Sequence, residues 1–97
     1  VMIKCRLRVD GSSAFIDGTV KKTKGLEDLI FQFEQQDAVP FLQRLVKDAN
    51  RGKPTKIDIL TRKTNVRIGT FEAMTGSIER NKIAFYLTSA IKWEGGK

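Results

Sequence analysis

The 97-residue sequence has no histidine, one cysteine and two prolines, and each scarcity removes a class of chemistry or structure. Without histidine there is no imidazole base and no imidazole metal ligand, and no cluster of Cys, Asp and Glu at metal-ligand spacing takes its place. A lone Cys5 forms no internal disulfide, so the fold does not rely on an oxidising compartment and a cytoplasmic location is expected. No apolar run approaches the roughly 18 residues of a membrane helix, and no basic-apolar-small leader is visible, so no membrane span or signal peptide is expected. A Gly-rich phosphate loop is missing too. Asp58, Glu72 and Glu79 read as isolated carboxylates on alternating strands, with no shared proton between them. The expectation is a protein that is not an enzyme and uses no metal, cofactor or small-molecule substrate.

What the chain has in excess is positive charge. Its net charge is +7, which favours anionic partners without naming one. Residues 1 to 24 carry +4, residues 25 to 52 carry −2 and residues 53 to 97 carry +5. The strand-like regions are basic and the helical middle is acidic, so polyanion binding is expected on strands and turns. A chain of this length makes one domain, burying roughly 60 to 65% of its unfolded surface.

Periodicity supplies the elements. Ile3, Cys5, Leu7 and Val9 alternate with Lys4, Arg6, Arg8 and Asp10, the period of a half-buried strand. Asp10-Gly11-Ser12-Ser13 offers turn residues, and Phe15, Ile16 and Val20 a return strand, so residues 2 to 22 read as a β-hairpin with Gly18 at a bulge. Leu26, Leu29, Ile30 and Phe33 fall on one helical face and predict a helix over residues 26 to 36. Asp37 is placed to cap a second helix, with Pro40 in its first turn, the apolar stripe Phe41, Leu42, Leu45, Val46 and Ala49, and an end at Gly52 and Pro54.

Beyond Pro54 five short strands are expected: around Ile57–Leu60, Val66–Ala73, Ser77–Arg80, Ile83–Thr88 and Ala90–Trp93. The parity of apolar residues slips at Gly69, as a bulge in a bent strand requires. The fold class is therefore mostly β with helices, a small, strongly bent antiparallel barrel with an N-terminal hairpin and helix extension. The extension covers residues 2 to 36, and a helix plus five-stranded barrel covers residues 38 to 94.

Three stretches resemble the Sm-like family, and most of all its bacterial RNA-chaperone branch: "PFLQRL" at 40 to 45, "GTFEAM" at 69 to 74 and "SAI" at 89 to 91, in the family's order. The resemblance spans residues 39 to 93. It implies a homo-oligomeric ring of about five to seven subunits that binds RNA or single-stranded nucleic acid. Residues 83 to 88 of one subunit would pair with residues 90 to 93 of the next. That places Ile83, Phe85, Tyr86, Leu87, Ile91 and Trp93 at the subunit seam. The sequence also departs from the family: Thr75 and Ser77 stand where an Asp and a stacking aromatic belong, and Thr88-Ser89 replaces a basic-His pair.

Lys4, Arg6 and Arg8 line one strand face and, with Lys21, Lys22 and Lys24, form a candidate phosphate strip whose plainer reading is a solvated outer face. Arg62, Lys63 and Arg67 surround the first barrel turn, where repetition in a ring would concentrate charge. By the family's geometry Arg80, Asn81 and Lys82 would point toward a pore. The six phenylalanines mostly read as core. The competing expectation is a structural or adaptor ring with a protein partner, in which the charge serves solubility.

Overall fold

A computed structural model describes residues 2–9, 15–22 and 28–94, apart from the side chains of residues 48–50. The elements are β1 (Met2–Val9), β2 (Phe15–Lys22), β3 (Asp28–Phe33), a 3-10 turn (Gln36–Ala38), α1 (Val39–Asn50), β4 (Thr55–Leu60), β5 (Arg67–Glu79), β6 (Lys82–Leu87) and β7 (Lys92–Trp93). The sheet runs β4-β1-β2-β3-β6-β5, and β4 pairs with β5 to close it. Every pairing is antiparallel. The product is a closed six-stranded barrel made of two three-stranded meanders, with α1 carrying the chain from one to the other.

Closure follows from alternation. Cys5, Leu7 and Val9 of β1, Ile16 and Val20 of β2, Leu29, Phe31 and Phe33 of β3, and Ile83 and Phe85 of β6 all point inward and are buried. Ile57 and Ile59 of β4 and Phe71 and Ala73 of β5 complete the same cluster. Period-2 strands place these residues on one face, and curling that face inward removes every one of them from water. Leu42 and Leu45 of α1, three residues apart on one helical face, join the core. The Thr75 hydroxyl of β5 donates to the Leu45 carbonyl at 2.8 Å and fixes the helix on the barrel.

Several expectations are corrected. The helix over residues 26 to 36 is instead strand β3 from Asp28 onward; residues 26 and 27 lie outside the described residues, as do Asp10–Ser13, Lys24 and the final three positions. Leu29, Ile30 and Phe33 fit a helical face, but Leu29, Phe31 and Phe33 also alternate, and only the strand sends Phe31 inward. β3 fills the gap between β2 and β6, pairing with both. Tertiary pairing overrides a helical pattern too short to hold by itself. The N-terminal hairpin is consequently part of the barrel wall, supplying two of the six closed strands, rather than an extension to a five-stranded barrel.

Among the described residues four strands, not five, follow Pro54. The expected break at Thr75-Gly76 is a bulge inside β5, with the β5–β6 register shifting between Thr75 and Ile78. The slip at Gly69 is present, since Ile59 faces Gly69 while Leu60 faces Arg67. β1 and β2 pair without a shift across Gly18, so that residue marks no bulge. Asp37 lies within the 3-10 turn instead of capping, and α1 does carry Pro40 in its first turn, with Gly52 beyond its end at φ 79°. Phe15 is not core: it is 41% exposed, with the Arg6 guanidinium 5.5 Å from its ring centroid.

Candidate nucleic-acid interface

The outer wall divides into two regions according to whether its cations are neutralised. On one, Arg6 donates from Nε to Asp17 Oδ1 at 2.6 Å and from Nη2 to Oδ2 at 3.2 Å, a bidentate pair, while Nη1 reaches Asn65 Oδ1 at 3.0 Å. The guanidinium of Arg6, hydrogen-bonded to Asp17, holds that carboxyl below the usual range. Arg8 donates to Asp58 Oδ2 at 2.7 Å, Arg67 lies 3.7 Å from Asp58 Oδ1, and Arg67 Nε donates to Glu94 at 3.0 Å. Burial pushes the Asp58 carboxyl up, yet the hydrogen bonds from Arg8 and Thr70 and the charges of Arg8 and Arg67 outweigh it and hold the group below its ordinary value. Asp58 is therefore not an isolated carboxylate but the centre of an ion-pair chain across β1, β4 and β5.

Arg62 is also spent internally. Its guanidinium donates to the Cys5 carbonyl at 3.2 Å and the Gly18 carbonyl at 2.9 Å, and it pairs with Glu34. These are tethers between the β4–β5 turn and the first meander. Of the nine cation and amide positions expected to meet phosphate, Arg6, Arg8, Arg62 and Arg67 are thus committed to the fold. Lys63 is exposed in the β4–β5 turn beside them, and Asn81 sits half-buried in the β5–β6 turn, where its carbonyl accepts from the Phe33 N–H at 2.8 Å.

The second region holds the rest. Lys4, Lys21, Arg80 and Lys82 are exposed and make no ion pair with a carboxylate among the described residues. Register explains their convergence. Thr19 faces Lys4 on one side and Gln32 on the other, Gln32 faces Lys82, and Lys82 faces Glu79, giving one row across five strands. In the next row Met2 faces Lys21, which faces Ile30, which faces Ala84. Between these rows runs a groove of about 660 Å³ whose lining includes Met2, Lys21, Ile30, Gln32, Ser77 and Lys82. Its lining is mixed, with Met2, Ile30, Ile83 and Ala84 apolar and Lys21 and Lys82 cationic, and Glu79 is the one carboxylate among its lining residues. Asp28 stands one row further along β3, opposite Tyr86.

Tyr86 extends this surface. It is 51% exposed, and a Cβ placed on Gly76 would fall 2.6 Å from its Cε2 and 3.0 Å from its hydroxyl oxygen. The ring lies over a glycine that leaves it room. Lys21, expected in the phosphate strip, stands at this groove, whereas Tyr86 is expected at a subunit seam and not beside the cations; the cover that it gives Gly76 needs the β5–β6 register. A further set of exposed cations, Arg44, Lys47, Arg51, Lys53 and Lys56, follows α1 and the start of β4.

The seam residues expected from the resemblance are distributed differently. Ile83 and Phe85 are core, at 1% and 0% exposure. Both edges of β6 are occupied within the chain, by β3 and by β5, so residues 83 to 88 present no open edge to a neighbour. Leu87 and Ile91 are half-buried against the core, and Trp93 is 52% exposed, its ring over Gly69. Lys92 and Trp93 form β7, paired to β5 of the same chain.

Cys5 is a free thiol buried in the core. Burial raises its thiol to about 11, against smaller lowering effects from the Val20 backbone and Arg62. In native protein at pH 8, iodoacetamide is expected to alkylate Cys5 on the order of 100-fold more slowly than in urea, as followed by mass spectrometry. A native rate matching the unfolded one would contradict the buried placement.

No helix among the described residues is long and apolar enough to cross a membrane, and among those residues no group of three or more Cys, Asp and Glu is placed to hold a metal ion. Fold and surface together define a class: a closed antiparallel six-stranded barrel with one helical crossover and a cation-flanked groove on its wall. No protein-family model matches the chain, and no curated protein or solved structure matches it, so nothing in these comparisons identifies the Sm-like family.

Proposed function

We propose that this protein binds RNA or single-stranded nucleic acid without catalysis, gripping phosphates with Lys4, Lys21 and Lys82 along the groove, with Arg80 at its end. The supporting observation is selective neutralisation. The fold pairs the arginines of the other region with carboxylates, whereas Lys21 and Lys82, which line the groove, and Lys4 and Arg80, which adjoin it in register and sequence, have no carboxylate partner among the described residues. Lysines not already neutralised by a carboxylate can neutralise phosphates, and the release of the counterions condensed on the nucleic acid drives that binding. Grouping them on one wall lets several phosphates of a single strand be met at once. With both edges of β6 filled, the reading is of a barrel that binds through its wall, and the ring implied by the resemblance is not needed for it.

Fluorescence anisotropy with a labelled 20-nucleotide strand tests this. Each phosphate contact contributes about 0.7 to the slope of log affinity against log salt for a single strand, so three or four contacts give a slope of roughly −2 to −3. The double variant Lys21→Glu, Lys82→Glu is expected to weaken binding more than tenfold at low salt, whereas Lys53→Glu, away from the groove, changes it less than threefold. Equal losses at both places would reduce the effect to net charge. An affinity that ignores salt, or absence of binding at low salt, would favour a protein partner instead.

A further inference from the structure

Resting on that reading, we infer that the ligand is specifically an unpaired strand, one of whose bases stacks on the Tyr86 ring. Phosphate contacts alone do not distinguish a single strand from a duplex. An open aromatic face does, because only an unpaired base presents its own face to it.

Three observations converge on Tyr86. First, its ring is held in place from beneath: Cε2, Cζ and the hydroxyl oxygen all lie within 3.1 Å of where a Cβ of Gly76 would be. Covering a glycine on a sheet occupies one face of the ring, and half of the side chain remains exposed. Second, the ring borders the groove. Ala84 and Ser77 line it, and they adjoin Tyr86 and Gly76 on β6 and β5. Third, the spacing suits a strand. Lys82 is four residues along β6 from Tyr86, roughly 13 Å, about the span of two nucleotides in an extended chain.

Trp93 supplies an internal contrast. It too covers a glycine, Gly69, and is as exposed as Tyr86. Its neighbour Glu94, however, is paired with Arg67, and its strand partner Gly69 lies eight residues along β5 from Ser77 of the groove that Lys21 and Lys82 line. An exposed aromatic over glycine is thus not by itself a platform; its place beside the groove that Lys21 and Lys82 line makes the difference.

The chain has one tyrosine and one tryptophan, so in a Trp93→Phe background the only ring emission of this kind comes from Tyr86. Titration of that protein with a 12-nucleotide oligo(dT) strand is expected to quench the emission at saturation, and a hairpin duplex of equal charge to leave it nearly unchanged. By anisotropy the unpaired strand is expected to bind at least tenfold more tightly than the hairpin. Tyr86→Ala should lose about tenfold in affinity for the strand and nothing for the hairpin, while Tyr86→Phe stays within twofold of the parent. Gly76→Ala, which pushes the ring off its seat, should reproduce much of the Tyr86→Ala loss. Salt-dependent binding in which hairpin and strand are equal, or in which Tyr86→Ala is neutral, overturns the stacking inference and leaves the groove standing. Failure of the parent to bind either nucleic acid at low salt overturns the groove and the stacking together.

Discussion

Gly18→Ala is expected to destabilise the barrel by about 3 kcal/mol or more, the upper end of overpacking costs. Gly18 lies on the inward phase of β2, between Ile16 and Val20, facing Cys5 on β1 and Phe33 on β3. A Cβ there would sit inside contact distance of the Gln32 carbonyl oxygen and 2.6 Å from Cζ of Phe31. The Phe31 ring is fully buried and has nowhere to swing. The Gln32 carbonyl is main chain, held by the β2–β3 ladder in which Thr19 faces Gln32. Relief therefore requires β2 and β3 to separate, which opens the barrel wall within the first meander.

The prediction has a second part that isolates the cause. Were the clash with the ring alone, Phe31→Ala would make room and the double variant would be no worse than Phe31→Ala by itself. Because backbone is the nearer obstacle, the two losses should largely add, and the double variant is expected to be unfolded at 25 °C. At about 4 to 8 °C per kcal/mol for a domain of this size, the single Gly18→Ala change lowers Tm by roughly 12 to 24 °C. Differential scanning calorimetry reads this directly; a shift under a few degrees would show that β2 and β3 do not approach each other as described.

How much of this was legible beforehand depends on the distance over which the deciding contact acts. β1 was plain because Ile3, Cys5, Leu7 and Val9 alternate without interruption. α1 was plain because Pro40, Gly52 and Pro54 punctuate it chemically. β3 was not, since six residues containing Leu29, Ile30, Phe31 and Phe33 satisfy two periods, and the choice is made by partners β2 and β6. The same limit governs the surface. Lys4, Arg6 and Arg8 look equivalent in the sequence, and what separates them is Asp17 and Asp58, the latter 50 residues from Arg8. Charge pattern located the basic strands but not the carboxylates that silence half of them. Phase could place Phe85 inward on β6; only register could say that the interior was the chain's own.

That last distinction yields the second large effect. Phe85→Ala is expected to cost about 3 to 5 kcal/mol, the range for removing a buried aromatic ring. Phe85 is wholly inaccessible, and its ring meets Phe71 of β5 edge-on, with centroids 5.5 Å apart and planes at 68°. It faces Leu29 across the β3–β6 pair and Thr75 across the β5–β6 pair, so the cavity would open where three strands meet. Against a typical total stability of 5 to 15 kcal/mol, such a loss leaves the domain marginal. Concentration dependence tells which interior is involved. A ring at a subunit seam gives a Tm that rises with protein concentration, and its removal abolishes that rise. A ring in the chain's own core leaves the concentration dependence the same for parent and variant, with Tm displaced downward by roughly 12 to 40 °C on truncation. With β6 paired on both sides within the chain, the slope is expected to be the same for parent and variant; a parent Tm that rises with concentration over a hundredfold series, with the slope lost in Phe85→Ala, would place this residue between copies instead.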